Sequence, residues 1–224
     1  AKFYYVDHGS VRLRIMVARP KIDDPRGSIL FCPGRTEFIE KYFETIEDFL
    51  SRGFTVLMMD PRGQGLSDRM LEDPLKSYVA SFQDYADDLA FVSDKFSHEL
   101  PKPHIVMGHS MGGKAAMQFA HDYPERCKKL ILAATSAGAV MVPGKPKVLW
   151  CMASPRRYVQ PSYGVQIAPE IYGGAFRRDP KLALAHASKV RSGGKMGYYW
   201  QLFAGLGWTS IHWLWRLKQK IIIH

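Results

Sequence analysis

The sequence predicts an α/β fold, a mostly parallel sheet with helices on both faces. Three observations carry that prediction. Short apolar runs alternate with amphipathic helical segments along the first 137 residues. Runs such as Thr55-Val56-Leu57-Met58-Met59 are apolar throughout, as strands covered on both faces must be. Gly108-His109-Ser110-Met111-Gly112 links one such run to a helical segment through a glycine-flanked turn.

Taken in order, residues 3–6 and 11–17 read as two strands of a hairpin turning at Asp7-His8-Gly9-Ser10. Residues 28–32 form a third strand, ended by Pro33-Gly34. Residues 42–50 read as a helix with Phe43, Ile46, Phe49 and Leu50 on one face, and Gly53 follows its end as a C-terminal cap. Residues 55–59 are a buried strand and residues 60–67 a loop. A helix over 81–96 points Phe82, Tyr85, Leu89 and Val92 inward. Residues 104–108 are a strand, 111–123 a helix stopped by Pro124, and 129–134 another strand.

After about Ala137 the alternation stops, and the chain becomes rich in aromatic, basic, proline and glycine residues. The expected organisation is a core over 1–137, a helical cap over 138–216 at the sheet's C-terminal edge, and a returning core strand beginning in 217–224. Residues 196–215 lack charge and are long enough to span a bilayer, but their glycines and polar residues favour cap helices hinged near 205–207. The aromatics Tyr198, Tyr199, Trp200, Phe203, Trp208, Trp213 and Trp215 are then expected in the cap core, some of them lining an apolar pocket.

Composition narrows the classes. Apolar residues at 46% and charged residues at 23% are globular values. Cys32, Cys127 and Cys151 are scattered with no CxxC pair, which excludes a disulfide framework or zinc-finger spacing and fits a cytoplasmic location. Ala1-Lys2-Phe3-Tyr4-Tyr5 lacks a signal-peptide core and a Met, so a trimmed start is expected. The net charge of +10 is uneven: residues 1–113 carry 14 Lys/Arg against 17 Asp/Glu, and residues 114–224 carry 17 against 4. The second half is therefore expected to face water or an anionic surface such as a granule or membrane. No nucleic-acid recognition motif is present, and no nucleic-acid partner is expected.

Within the glycine-flanked turn, Ser110 is the candidate nucleophile. A serine held there in a strained conformation lifts its hydroxyl clear of the sheet, and the following helix aims its N–H groups at any oxyanion formed. Gly108 and Gly112 are required because a side chain at either would meet neighbouring backbone. His109 is read as structural, its ring pointing away from the hydroxyl. Asp84, Asp87 and Asp88 share one helix face, and a solvated acidic face is the favoured reading over a metal site. Gly63-Gln64-Gly65 lacks the third glycine of a dinucleotide fingerprint. Neither metal nor cofactor is expected.

Three motifs occur in order: Cys32-Pro33-Gly34-Arg35-Thr36-Glu37, Asp60-Pro61-Arg62-Gly63-Gln64-Gly65-Leu66-Ser67 and Gly108-His109-Ser110-Met111-Gly112-Gly113. Together they resemble the α/β-hydrolase superfamily. Residues 1–113 are similar to its bacterial lysophospholipase and monoacylglycerol-lipase branch. From about Gln118 the chain resembles intracellular depolymerases of medium-chain polyhydroxyalkanoates, on the strength of Phe119-Ala120-His121-Asp122-Tyr123-Pro124, Met141-Val142-Pro143-Gly144 and Gly205-Leu206-Gly207-Trp208. Met111 stands where those depolymerases usually carry Trp. The chain thus looks like a junction of two relatives near residues 113–118, where the charge balance also changes.

The resemblance implies a serine carboxylic-ester hydrolase working through an acyl-serine on an apolar acyl ester, a lysophospholipid, monoacylglycerol or polyhydroxyalkanoate. Ser110 would be the nucleophile, and the backbone N–H groups of Arg35 and Met111 the oxyanion hole. The family's histidine base and its carboxylate match no position here, and His224 ends the strand that should precede them. The sequence therefore predicts a fold truncated before its last strands, an open sheet edge and weak turnover. An inactive hydrolase-fold fragment, or an acyl-binding protein, is the alternative.

Overall fold

A computed structural model describes residues 1–35, 37–72, 78–138, 145–154, 156, 160–171, 174–189 and 208–223. Seven strands form one sheet in the order β1-β2-β4-β3-β5-β6-β7. They are β1 (Lys2–His8), β2 (Val11–Ala18), β3 (Ser28–Cys32), β4 (Thr55–Met59), β5 (His104–His109), β6 (Lys129–Ala133) and β7 (Lys220–Ile223). β2 runs antiparallel to β1 and β4, and every other pairing is parallel. The hairpin register runs from Lys2↔Val17 to His8↔Val11, leaving Gly9-Ser10 as the turn. Gly9 takes φ +61 there, a left-handed conformation that suits a tight hairpin turn.

Helix α1 (Phe43–Ser51) covers one face of the sheet, and α2 (Phe82–Lys95) and α3 (Met111–Asp122) cover the other. The period of two along each strand decides which side chain goes where. Ile29 and Phe31 of β3, with Val56 and Met58 of β4, pack with Ile46 of α1. Leu30, Cys32 and Leu57 point the other way, toward Leu89 of α2 and Phe119 of α3. All residues of β3 and β4 are buried, as their continuous apolar runs require.

Two expectations change here. Phe43 is exposed, because it opens α1 at its first position and faces water while Ile46 meets the sheet. The three aspartates of α2 are not a solvated face. Asp84 closes a capping box with Ser81. Asp87 accepts from Tyr123 Oη at 2.9 Å. Asp88 is fully buried and takes two bonds from the Arg62 guanidinium, Nε at 2.7 Å and Nη2 at 2.6 Å, with His8 Nδ1 at 2.8 Å. The aspartates turn inward because Arg62 and His8 reach them from other elements, which helical spacing does not reveal.

Beyond β6 the described residues hold α4 (Pro146–Ala153), α5 (Pro161–Ile171), α6 (Gly174–Arg178) and α7 (Pro180–Lys189). β7 then returns beside β6 in parallel register, Leu130↔Ile221. Ile222 and Ile223 on it are exposed. No helix among the described residues is long and apolar enough to cross a membrane. The predicted aromatics 198–203, the hinge at 205–207 and His224 lie outside the described residues, as does most of the uncharged stretch 196–215. Its described end, 208–215, departs from the cap-core expectation: Trp213 is buried in the core cluster with Phe119 and Ala120 of α3, Trp208 packs partly buried against Phe82 of α2, and Trp215 is exposed, because this stretch lies against the helices of the sheet core.

Candidate active site at the strand-to-helix turn

The parallel strands β3, β5 and β6 end side by side. The chain leaves β5 at His109, and Ser110 is both the turn residue and the N-cap of α3. Ser110 has φ +52 and ψ −121, a conformation unusual for a residue with a Cβ. Two bonds hold it there. Its N–H donates to Ala133 O at 2.9 Å on β6, and its carbonyl accepts from Gly113 N–H at 3.1 Å. The residue is exposed at the end of the sheet.

The elbow glycines have distinct neighbours. A Cβ on Gly108 would meet Gly112 O at 2.5 Å, so β5 could not run so close beneath the start of α3. A Cβ on Gly112 would overlap the carbonyl oxygens of Cys32 and Pro33 at the end of β3. A Cβ on Gly34 would lie 3.2 Å from Ser110 Cβ. Small residues thus bring the loop after β3 and the turn after β5 into direct contact, with Gly34 beside Ser110.

Behind this contact sits a polar cluster. Glu37 Oε2 accepts from Gly34 N–H at 2.5 Å and lies 3.0 Å from His109 Nδ1, and Tyr42 Oη donates to the same oxygen. Tyr42 Oη is also 2.9 Å from His109 Nδ1, and Lys41 Nζ is 3.3 Å from Glu37 Oε1. Burial alone would push the Glu37 carboxyl up. The bonds from His109 and Tyr42, with the Lys41 charge, reverse that and hold it at about 2. Tyr42 is pushed up by burial and by the adjacent Glu37 carboxylate. His109 is thereby tied behind the elbow.

Glu37 closes the motif Cys32–Glu37, and its role here is not marked by that motif. The available signal was an acid three residues after Gly34, close enough to return to that N–H. Asp60, at the mouth of β4, likewise has a role that its motif does not mark. It accepts from Ile39 N–H and Leu66 N–H, each at 2.9 Å, and from Arg14 at 3.1 Å, and so ties its own loop to the one after β3.

Beside the elbow, Met111 packs with Val79, Phe82, Tyr85, Ala115 and Trp208. Lys114 Nζ lies 5.6 Å from the ring centres of both Phe82 and Trp208, and burial lowers its pKa. Five described histidine rings face polar partners other than Ser110: His8 meets Asp88, His104 meets Leu100 O, His109 meets Glu37 and His121 meets Asp122 within hydrogen-bond distance, and His98 lies 3.8 Å from Glu99. Among the described residues no cluster of His, Cys, Asp and Glu is placed to hold a metal ion.

A strained serine between a parallel strand and a helix, with a glycine loop laid against it, is the arrangement found across α/β hydrolases. The Hydrolase_4 family profile, described as serine aminopeptidase S33, matches residues 23–196. The chain belongs to this family. A poly(3-hydroxyalkanoate) depolymerase of Ectopseudomonas oleovorans is 78% identical over 118 residues, covering 53% of this chain and 42% of that protein. Lysophospholipase L2 of Escherichia coli K12 is 39% identical over 114 residues, covering 50% of this chain and 34% of that one. The matched stretches thus span less than half the length of either relative. Among solved structures, a probable hydrolytic enzyme of Pseudomonas aeruginosa PAO1 superposes with a TM-score of 0.73 at 20% identity, covering 99% of this chain and 72% of that one. An α/β-hydrolase enzyme from a Medee basin deep-sea metagenome library gives 0.67 at 14%, covering 98% and 78%. At these identities the superpositions establish the fold alone. This Hydrolase_4 member therefore has the α/β-hydrolase fold, and its relatives are esterase- and lipase-type hydrolases.

Proposed function

We propose that the chain carries the acyl-transfer site of a carboxylic-ester hydrolase, with Ser110 as its nucleophile. The strained, exposed Ser110 at the end of β5 supports this most directly. Its oxygen attacks the ester carbonyl carbon and loses its proton to a base. The carbonyl π electrons move to oxygen, and the resulting oxyanion takes hydrogen bonds from the N–H groups of Arg35 and Met111. Collapse expels the alcohol and leaves an acyl-serine, which water then hydrolyses. No metal or cofactor enters this scheme.

The substrate class we propose is an apolar acyl ester, a lysophospholipid or monoacylglycerol on one side and a polyhydroxyalkanoate on the other. The names of the two relatives and the apolar cluster of Phe82, Met111 and Trp208 support it. In this reading residues 138–216 are a cap, with α4 to α7 as its helices. Their basic residues, including Lys147 and Arg178, would hold an anionic granule or membrane surface.

A second reading is binding of acyl esters without turnover. It is favoured by the placement of His8, His98, His104, His109 and His121 against partners other than Ser110. A serine without a base retains at most the roughly 10³–10⁴-fold catalysis over water that an oxyanion hole and binding supply. The two readings separate in one experiment. Hydrolysis of nitrophenyl butyrate is measured for the chain and for Ser110→Ala, alongside labelling by a fluorophosphonate. Labelling at Ser110, with hydrolysis lost in the variant, supports the esterase. Equal rates and no labelling would sink the acyl-serine mechanism and leave binding.

A further inference from the structure

Glu37 touches both sides of the candidate site. On the β3 side its Oε2 accepts from Gly34 N–H at 2.5 Å. On the β5 side the same oxygen meets His109 Nδ1 at 3.0 Å, one residue before Ser110. The two loops have no sequence neighbourhood, and Glu37 with Tyr42 links them by side chains.

The bond to Gly34 is placed to matter. The Pro33–Gly34 peptide has its carbonyl against Gly112, where any Cβ would overlap it, and its N–H on Glu37. The N–H end of that peptide plane is therefore held by Glu37 while its carbonyl end packs closely on Gly112, and turning it over would break the hydrogen bond to Glu37. The next peptide carries the N–H of Arg35. Its direction follows from Gly34, whose Cα is itself packed on Ser110. An oxyanion donor tolerates about 0.5 Å of misplacement, so a rigid preceding peptide is a functional requirement and not only a structural one.

We propose that Glu37 is a positioning residue that aims the Arg35 N–H at the oxyanion, by clamping the Gly34 N–H while anchoring His109 beneath Ser110. This deepens the esterase reading and rests on it for the identity of the donor. Glu37 does not touch substrate. Tyr42 shares the task, because its hydroxyl donates to Glu37 and lies 2.9 Å from His109 Nδ1.

The test uses the full chain with Glu37→Ala, Glu37→Gln and Tyr42→Phe. Amide hydrogen exchange at Gly34 and Arg35 is read by NMR, with Leu57 in the buried strand β4 as an internal reference. Glu37→Ala is expected to speed exchange at Gly34 and Arg35 at least about tenfold over wild type, with Leu57 unchanged. Nitrophenyl butyrate turnover is expected to show kcat down about 10²-fold, the order of losing one oxyanion donor, with KM within about threefold. Glu37→Gln keeps an oxygen for Gly34 N–H and should recover most of that loss. Unchanged exchange, or a rise in KM with kcat intact, would overturn the proposal. Should Glu37→Ala fail to fold, Glu37→Gln and Tyr42→Phe carry the exchange comparison, each with a smaller increase expected and none being the contrary result. If Ser110→Ala leaves turnover unaltered, the esterase reading falls, and the exchange measurement still decides what Glu37 holds.

Discussion

Gly34 packs directly on Ser110: a Cβ added to Gly34 would lie 3.2 Å from the Ser110 Cβ and 2.5 Å from Glu37 Oε2. The second of those atoms ends a side chain that can swing aside. Gly34→Ala is therefore expected to fold, losing about 1 kcal/mol and about 2–4 °C in Tm, while displacing Glu37 and the Arg35 peptide. Esterase turnover should drop about 10²-fold, far out of proportion to the stability change. Thermal melts and nitrophenyl ester kinetics on one preparation check the split. Parallel losses in both would mean that the glycine serves the fold alone.

The pair Asp88–Arg62 is a structural device. Asp88 is fully buried, and Arg62 is mostly so. Removing the carboxylate takes both short bonds from a mostly buried guanidinium, which keeps Asp84 at 3.9 Å, and the partner of the half-buried His8 ring. Asp88→Ala should cost about 3–5 kcal/mol and lower Tm by more than about 6 °C. Urea melts at neutral pH measure this directly. A change below about 1 kcal/mol would restore the solvated-face reading of α2.

Glu37 also gives a pH dependence with a definite sign. Its folded-state pKa, about 2, lies below the ordinary carboxyl value of 4.5. The stability it contributes is thus fully present above pH 4.5 and disappears as pH falls toward 2. In Glu37→Gln that contribution is absent at every pH. The Tm difference between wild type and the variant should be constant from pH 7 to about 5 and shrink below about 4.5. A difference that stays flat down to pH 3 would show that the carboxylate is not held charged by His109, Tyr42 and Lys41.

The proposed surface role is testable by salt. Association with vesicles containing anionic phospholipid, read by co-sedimentation, should be strong near 0.01 M ionic strength and weaken sharply by about 0.5 M, as screening shortens from about 30 Å toward a few Å. The exposed Trp150 and Trp215 provide a fluorescence reading of the same event. Binding that persists unchanged at high salt would assign it to apolar contact instead of the basic half.

Much of the fold was legible because it rests on local pattern. The buried strands announced themselves as uninterrupted apolar runs, and Phe82, Tyr85, Leu89 and Val92 marked the inward face of α2, all four being buried. Ser110 was legible for a similar reason: the glycine spacing of the elbow encodes a turn of five consecutive residues, and it stands between β5 and α3 as read. Phe43 was misread because helical periodicity assigns a face without saying where the helix first meets the sheet. The three aspartates of α2 were misread because their partners, Arg62, His8 and Tyr123, lie on other elements.

What the sequence by itself determined is therefore the short-range part: strands, helices, the hairpin turn and a strained serine after a parallel strand. Each depends on the order of neighbouring side chains and on backbone sterics. Only the tertiary structure decided which distant groups meet. It brought Gly34 from the end of β3 against Ser110 at the end of β5, and it put one carboxylate, Glu37, on both Gly34 and His109. The physical reason is that a hydrogen bond between remote loops leaves no periodic trace in sequence. Its partners are set by strand order and register, which packing of the whole sheet fixes together.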